Sequence, residues 1–468
     1  MEFIETVRGK RKVLLDGYLY VKQKALATGY VSYECEKRRQ NKDKQGECKA
    51  KIKVRGDEFI MGENQHTHAP EPGRPEMLRV KEGIKRRAAE TEETPQQIIT
   101  AQVQGLGEAA ATQMPQIKSV RRQVRRVRRQ NNQPPATPQN RATVEIPQEY
   151  TRLASGEVFL LHDSGVGDEE RILIFGTERT VNLLHAADHW YMDGTFKIVP
   201  ELFFQLYTIH GSTNAGFIVP CLFVLLPNKT GGTYDRLFDL VKNLRPNMEP
   251  VTVMMDFEKA PMNSAEAAFP RAAITGCFYH LSQSVYRKIQ SEGLQNTYTT
   301  DEAFALHAQM IPALAFVPVN DVITAFEALQ DDAPAELAPI LDYFEDNYVG
   351  RPRRRNRANP LYALATWNVS NRVHDQLPRT NNHVEGFHRK MVAALTAYHP
   401  CLWKFLNVLQ KEQALTNVIL NQMDAGQEAP QQRRQDRATT QRLEAITRDY
   451  GNRQPLDYLR GIAHNIRF

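Results

Sequence analysis

Apolar residues follow three different patterns along the chain, and each pattern predicts a different kind of structure. In residues 1–70, short runs of alternating apolar and polar positions are separated by turn residues, as in KVLLDGYLYVKQ, where Asp16-Gly17 indicates a hairpin turn. Residues 71–130 have helical spacing, and from about 150 short apolar runs mix with helical segments. This order predicts a small β-rich module, a helical segment and a larger α/β domain.

The short apolar runs after residue 150 are predicted to be strands. They are VFLLHDS, RILIFGT, HWYMDGTFKIV, FFQLYTIHGS, GFIVPCLFVLLP, VTVMMDFE and AAITGCFYH. The spacing predicts a helix in TYDRLFDLVKNL, before VTVMMDFE, and only helices over 291–350. A basic loop, RPRRRNR, follows, and helices are predicted from about 381 to the end, interrupted by the polar stretch 424–438.

Composition changes mark the domain boundaries. NNQPPATPQNRATVEIPQ is rich in Pro, Gln and Asn and is typical of a linker with little reason to fold. We therefore predict a β-rich module at 1–70, a basic helical segment at 71–131, a linker at 132–148, an α/β domain at 149–400, with an all-helical insertion at about 281–378, and a helical C-terminal region at 401–468.

Charge is distributed unevenly along the 468 residues. Residues 1–148 hold 29 Lys and Arg against 18 Asp and Glu, whereas residues 149–468 hold 31 against 36. A basic front end favours a polyanionic partner. No apolar run approaches the ~18 residues of a membrane span, so we expect no membrane association. Five cysteines are too few for a disulfide scaffold, which favours a reducing compartment.

Cys35, Cys48, His66 and His68 offer the donors of a closed tetrahedral zinc site. Their spacing is not that of the common finger with two Cys and two His, and they could be four unrelated residues. However, these two cysteines are the only ones before residue 221, and the module has too few large apolar residues for a core of its own. A structural metal ion that stabilises the module is therefore the favoured interpretation.

The same segment resembles the FLYWCH-type zinc finger. The motifs FxxxxRG, LDGYxY, YxC, CKA and HxHAP occur in family order over residues 3–70. The signature residues would be Phe3, Leu14 or Leu15, Tyr20, Tyr33, Cys35 and His68. Tyr33 departs from the usual Trp but keeps a large aromatic body. The resemblance implies a zinc-dependent module that binds DNA or protein.

A basic helix is predicted in PQIKSVRRQVRRVRRQ, where Pro115 suits a helix start. Its valines form a narrow apolar stripe, and its cations are Arg121, Arg122, Arg125, Arg126, Arg128 and Arg129. These arginines could form a solvated face or a nuclear-import signal. They could also contact DNA phosphates from the third helix of a helix-turn-helix-like module, and import and DNA binding are compatible.

Three carboxylates are candidates for a catalytic metal site. Asp193 and Asp256 lie in or at the end of apolar strands, and Glu385 lies beside the core face of a predicted helix. Alone, each has an ordinary explanation as a turn residue, a helix cap or an exposed helix residue. Together they could hold two Mg²⁺ or Mn²⁺ ions. Asp188 and Glu258 are nearby competitors.

The order of elements is that of an RNase H-like nuclease core: strand-Asp, two strands, helix, strand-Asp, strand, helical insertion and helix-Glu. Residues of about 185–395 also resemble the transposase domain of Mutator-like elements (MULE). The matching motifs are DGTFK, MMDFEKA, CFYH, WNV, RTNNHVEGFHRK and LWKF, in family order.

The MULE resemblance implies that Asp193, Asp256 and Glu385 are the catalytic Asp-Asp-Glu triad. It also assigns the family's Cys-x-x-His motif to Cys277 and His280. His280, which follows a strand, could approach DNA or brace the carboxylates, or could serve only in packing and capping. Trp367 is either a core residue of the insertion or a stacking platform for a base.

These features predict a DNA transposase that binds element ends, hydrolyses a phosphodiester with two metals and joins the freed 3′-OH to target DNA. The expected cofactors are structural Zn²⁺ and catalytic Mg²⁺ or Mn²⁺. The expected partner is double-stranded DNA, bound by a homo-oligomer in the nucleus. The main alternative is a host-domesticated, non-catalytic zinc-finger regulator of transcription, and the third is a nuclease of RNA–DNA hybrids.

Overall fold

The structure is a computed structural model that describes residues 1–5, 11–39, 47–91, 93–131, 135–395, 399–430 and 433–468. It contains two compact units, Met1–Pro135 and Ala136–Phe468. Residues 132–134 of the predicted linker lie outside the described part.

The first unit begins with a six-stranded antiparallel meander in the order β1-β2-β3-β4-β5-β6. Asp16 and Gly17 join β2 to β3 with φ values of 51° and 80°, a backbone conformation that Asp tolerates and Gly favours. The small core under the sheet is built from Val13, Tyr20 and Ile52, with three further buried residues. The strands are β1 Glu2–Glu5, β2 Arg11–Leu15, β3 Tyr18–Ala25, β4 Val31–Cys35, β5 Lys51–Arg55 and β6 Glu58–Met61.

Among the described residues of this unit, four α-helices follow the sheet: α1 Gly73–Glu90, α2 Pro95–Val103, α3 Glu108–Ala111 and α4 Ile117–Asn131. These helices agree with the helical spacing of residues 71–130, and the predicted basic helix is α4. Val120, Val124 and Val127 of α4 are buried against Ile84 of α1 and Ile98 of α2. The narrow valine stripe therefore holds the basic helix in a small helical bundle.

A seven-stranded mixed sheet forms the centre of the second unit, in the order β13-β12-β9-β10-β11-β8-β7. Strand β9 is antiparallel to β10 but parallel to β12, which is in turn parallel to β13. All seven predicted strands are present. They are β7 Leu160–Asp163, β8 Leu173–Phe175, β9 His189–Thr195, β10 Gln205–Ser212, β11 Ile218–Leu226, β12 Thr252–Met255 and β13 Ala273–Gly276.

Helices cover both faces of this sheet and account for the rest of the unit. The described helices before residue 292 are α5 Gln148–Thr151, α6 Glu178–Ala186, α7 Gly231–Leu244, α8 Lys259–Ala268 and α9 Phe278–Ser291. The next group is α10 Gln295–Thr300, α11 Glu302–Ala313, α12 Val322–Asp332, α13 Ala338–Phe344, α14 Leu364–Trp367 and α15 Ser370–His374. The last are α16 Asn382–Leu395, α17 Leu402–Asp424, α18 Arg434–Arg448 and α19 Pro455–Ala463.

Two hydrophobic cores lie on opposite faces of the sheet. Trp190 and Met192 of β9 point into the larger core, with α7, α8 and the helices of residues 281–378. Phe223 and Leu225 of β11 point into the smaller core, against α16 and α17. This alternation along each strand explains why the strand runs are apolar almost throughout. Trp367 is fully buried and donates its indole N–H to the carbonyl of Tyr348 at 2.9 Å, so it is a core residue.

Residues 136–148 do not behave as an unattached linker. Ala142 and Val144 are buried, and the backbone carbonyl of Val144 accepts a hydrogen bond from Arg171 at 2.6 Å. The indole N–H of Trp403 donates to the carbonyl of Ala136 at 3.0 Å. The expectation that the whole segment has little reason to fold is therefore wrong for these residues, because tertiary partners satisfy their backbone.

Candidate functional sites

The four predicted zinc ligands come together in the first unit. Cys35 ends β4, Cys48 precedes β5, and both histidines follow β6, so the sheet brings residues distant in sequence to one place. The Cys35 Sγ atom lies 3.2 Å from His68 Nε2, and Cys48 Sγ lies 3.3 Å from His66 Nδ1. One donor atom from each residue lies within 4.8 Å of all the others. Two thiols and two imidazoles at this separation fit a closed zinc site.

Neighbouring groups orient both imidazoles for this role. The hydroxyl of Tyr20 lies 2.7 Å from His66 Nε2, which leaves Nδ1 for the metal. His68 Nδ1 lies 2.8 Å from the carbonyl of Ala69, which leaves Nε2. Burial and then the nearby thiols raise the pKa of Tyr20 to about 12, so its hydroxyl stays protonated at neutral pH. Such outer contacts fix the tautomers of metal-binding histidines.

The six arginines predicted to bind DNA do not share one environment. Arg128 is half-buried and donates to the carbonyls of Ala88, in the last turn of α1, and of Thr91 and Glu93, just past its end. Arg121 is exposed and donates to the side chain of Gln96.

The remaining arginines of α4 differ from these two. Arg122, Arg125 and Arg126 are exposed and form no side-chain hydrogen bond or ion pair within the described part of the chain. The side chain of Arg129 lies outside the described part.

Asp193 and Asp256 lie next to each other because of strand register. In the parallel pair β9–β12, Trp190 lies opposite Val253 and Tyr191 opposite Met254. Two residues further along each strand, the same register brings Asp193 beside Asp256. Both side chains are partly exposed and line one cavity, together with Glu258. Asp188, at the opposite end of β9, is too far along the strand to compete for this site.

Helix α16 adds the third carboxylate to this edge of the sheet. Val384 is buried against Tyr191 and Met254, on the face of the two strands that carry the aspartates. His388, one turn after Glu385, places Nδ1 3.2 Å from Asp193 Oδ2 and Nε2 3.0 Å from the hydroxyl of Thr208. These contacts hold α16 against the strands that carry the aspartates, with Glu385 near His280.

His280 lies between two of the three carboxylates. Its Nδ1 is 2.8 Å from Asp256 Oδ1, and its Nε2 is 3.8 Å from Glu385 Oε1. Burial acts to lower the pKa of His280, but Asp256 and Cys277 outweigh this effect and raise it to about 11. Burial and the negative charges of Asp193 and Glu385 raise the pKa of Asp256. A cationic imidazole therefore balances part of a concentrated negative charge.

The three carboxylates are neighbours but do not form a tight ligand cluster by themselves. Apart from the Cys/His cluster, the described chain contains one group of three candidate ligands within 4.8 Å, namely Asp256, Cys277 and His280. Asp256 Oδ1 and Glu385 Oε1 are buried and lack a hydrogen bond of regular geometry among the described residues. Carboxylate oxygens in such surroundings fit a site for a hard divalent cation.

Two residues that brace the site have roles that the sequence did not reveal. The buried side chain of Asn381 donates to the carbonyl of Met192 at 2.7 Å, and its backbone N–H donates to Cys277 Sγ at 3.3 Å. Cys277 therefore connects the end of β13 to the start of α16. Asn381 stands in the motif RTNNHVEG, which was the one available signal, but the pattern does not reveal which of its asparagines is buried.

Comparison with known families supports both sequence resemblances. The FLYWCH zinc finger domain model matches residues 3–68, and the MULE transposase domain model matches residues 189–284. A comparison with curated proteins found no significant match. Among the helices that the structure describes, none has the length and apolar character that a membrane span requires. The chain therefore combines an N-terminal FLYWCH zinc finger domain with a MULE transposase domain.

Proposed function

We propose that the chain is a DNA transposase of the Asp-Asp-Glu type. The observation that carries the proposal is the β9–β12 register, which brings Asp193 beside Asp256 at one sheet edge, where α16 adds Glu385. The match to the MULE transposase domain supports a DNA-processing role. The order β13-β12-β9-β10-β11, with β10 as the antiparallel neighbour of β9, supports an RNase H-like core.

Asp193, Asp256 and Glu385 would hold two Mg²⁺ or Mn²⁺ ions, which would activate an attacking oxygen and stabilise the leaving oxygen. The first step is hydrolysis: a water oxygen bonds to phosphorus, and the bond from phosphorus to the 3′ oxygen breaks. The oxygen of the freed 3′-OH then bonds to a phosphorus of target DNA, the bond from that phosphorus to the target's own 3′ oxygen breaks, and the proton passes to this leaving oxygen. No covalent bond to the protein forms in either step.

His280 is a positioning residue in this proposal. It lies against Asp256 and near Glu385, and its positive charge limits repulsion among the carboxylates when no metal is bound. His388 contacts Asp193 through Nδ1, which lies 3.2 Å from Oδ2. Both histidines keep the carboxylates preorganised, so less free energy is needed to arrange them around the cations.

The first unit would bind the element ends. The match to the FLYWCH zinc finger domain supports zinc-dependent DNA binding, and the exposed Arg122, Arg125 and Arg126 of α4 would add phosphate contacts. Pairing of two DNA ends requires at least two active sites, so a homo-oligomer on DNA is part of the proposal. Because the proposed substrate is DNA, we also propose a nuclear location.

Cleavage of DNA that carries the gene's own genomic flanks tests the function. With Mg²⁺ or Mn²⁺, the wild-type protein should cut at a repeat boundary, and the variants Asp256→Asn and Glu385→Gln should lose this activity. The matched control is Asp239→Asn, an exposed aspartate on α7, which should cut normally. Nicking that persists in Asp256→Asn would refute the assignment of the triad.

The same assay separates the alternatives. Zinc-dependent binding of these flanks without cleavage would favour the domesticated regulator of transcription. Preferential cleavage of an RNA–DNA hybrid over duplex DNA would favour the general nuclease.

A further inference from the structure

The basic loop RPRRRNR forms a hairpin that is fixed at its base. Pro352 pairs with Arg357 in an isolated antiparallel bridge, and Ala358 N–H donates to the carbonyl of Arg351 at 2.8 Å. Gly350 precedes the hairpin with φ of 90°, and a Cβ there would lie 1.9 Å from the carbonyl oxygen of Ala358. Only glycine allows this close approach of the two ends.

Two arginines of the loop are used to anchor it. Arg351 pairs with Asp342, Glu345 and Asp346 at 2.6–2.9 Å. Arg357 pairs with Glu345 and Glu327, both at 2.7 Å. Because Glu345 is 3% exposed and accepts from both arginines, this network holds the base of the hairpin rigidly on the helical layer.

The other three arginines, Arg353, Arg354 and Arg355, occupy the turn of the hairpin. All three are exposed, and none pairs with another side chain in the part of the chain that the structure describes. The three consecutive cations at the turn repel one another, and no ion pair within the described part of the chain offsets this repulsion. Such an arrangement is suited to an anionic partner.

The hairpin is connected to the edge of the sheet that carries the carboxylates. Tyr362, four residues after Ala358, donates its hydroxyl to the carbonyl of Phe257 at 2.7 Å, and Phe257 directly follows Asp256. The ammonium of Lys259, also exposed, lies 4.9 Å from the centre of the Tyr362 ring. Lys259 is therefore a further cation beside the tyrosine that connects the hairpin to this edge of the sheet.

We infer that Arg353, Arg354 and Arg355 bind the phosphate backbone of the DNA that flanks the cleaved phosphodiester. The inference rests on the proposed function, which supplies the DNA substrate. Arginine suits this task because its guanidinium can contact phosphate oxygens in pairs. The rigid base would hold the DNA at a fixed distance from Asp256, so the hairpin would position the substrate in addition to attracting it.

The salt dependence of DNA binding tests this surface. The full-length protein and a labelled duplex of random sequence are used in fluorescence anisotropy without divalent cations. In the triple variant Arg353→Ala/Arg354→Ala/Arg355→Ala, the slope of log affinity against log salt concentration should fall by about two to three, since each lost phosphate contact contributes about 0.9. The matched control is Arg433→Ala/Arg434→Ala/Arg467→Ala, which removes three exposed arginines elsewhere in the second unit and should keep the wild-type slope.

A charge-preserving triple variant to lysine should retain most of the slope, because lysine also contacts phosphate as a point charge. An unchanged slope in the alanine variant, or an equal fall in the control, would overturn the inference. If the triple variant does not fold, the single variant Arg354→Glu gives a second measurement. Its affinity for the duplex should fall at low salt concentration. An unchanged affinity would contradict DNA binding by the hairpin. If the protein does not cleave DNA but the salt-dependence slope falls in the alanine variant, the proposed transposase activity is refuted and the DNA-binding hairpin is supported. If the protein cleaves DNA but the slope is unchanged, the activity is supported and the hairpin inference is refuted.

Discussion

Nδ1 of His280 lies 2.8 Å from Oδ1 of Asp256, and the opposite nitrogen of the same ring lies 3.8 Å from Oε1 of Glu385. One imidazole thus links a carboxylate from the end of a strand to a carboxylate from a helix that lies more than a hundred residues further along the chain. Its positive charge occupies the region in which the proposed metal ions would also lie. The protein therefore balances part of this charge with its own cation, and the proposed metal ions would balance more of it.

The variant His280→Gln tests this balance. Without the imidazolium, the carboxylates repel one another, and the free energy of unfolding should fall by about 1–2 kcal/mol in the absence of divalent cations, since the pair is about a quarter exposed. Mg²⁺ should restore more stability to the variant than to the wild type. Thermal unfolding with and without Mg²⁺ measures this difference, and an equal response of both proteins would contradict it.

Arg128 is predicted to stabilise the helical bundle of the first unit. Arg128→Ala removes the hydrogen bonds to the carbonyls at the C-terminal end of α1 and should lower the local free energy of unfolding by about 1–2 kcal/mol. Hydrogen exchange of the α1 amides measures this loss. Arg125→Ala, which removes an exposed cation from the same helix, is the matched control and should change stability by no more than about 0.5 kcal/mol.

DNA binding should respond to the same two variants for different reasons. Arg125→Ala should weaken binding by loss of a phosphate contact, with no change in the exchange rates of α1. If Arg128→Ala left those exchange rates at the wild-type level, its assignment as a structural residue would be wrong.

Removal of zinc should unfold the β-sheet of the first unit and leave the second unit folded. The apolar core of that sheet is small, so metal coordination has to supply much of its folding free energy. Hydrogen exchange after chelation should show rapid exchange in β2–β5 and unchanged protection in β9–β11. Cys48→Ser should have the same effect without a chelator, whereas Cys401→Ser should not, and protected β2–β5 amides in the chelated protein would refute the zinc site.

The ion pair between Asp163 and Arg171 predicts a pH dependence. Burial acts to raise the pKa of Asp163, but hydrogen bonds from Arg171 and Gly165 outweigh it and lower the pKa. A lowered pKa in the folded state means that the pair stabilises the protein above the unfolded-state pKa of about 3.9. This contribution is lost as the pH falls through the folded-state value.

The variant Asp163→Asn should therefore be less stable than the wild type at neutral pH, by about 1–3 kcal/mol. The difference should shrink as the pH falls below about 4. Denaturant unfolding of both proteins across this range measures it, and a difference that did not change with pH would show that the charge of Asp163 is unimportant. Because Arg171 also holds Val144, exchange of the amides of residues 141–144 should rise in the variant.

Local patterns in the sequence determined most of the secondary structure of this protein. Alternation along β2–β5, the apolar runs of β7–β13 and the helical spacing of α1, α4 and α7 depend on neighbours close in the chain, and each prediction was confirmed. The composition of the ligand set at Cys35, Cys48, His66 and His68 was also readable, because few residue types bind zinc. The two family matches agree with the motifs that the sequence carries.

Tertiary structure alone decided which of these residues meet and what each one does. The register between β9 and β12 sets Asp193 beside Asp256, and no local pattern encodes a pairing across some sixty residues. Burial distinguishes Arg128, which bonds carbonyls at the C-terminal end of α1, from Arg125, which faces solvent, although the two look alike in the sequence. The attachment of residues 136–148 likewise depends on Arg171 and Trp403, because a polar segment gains order only when distant partners satisfy its backbone.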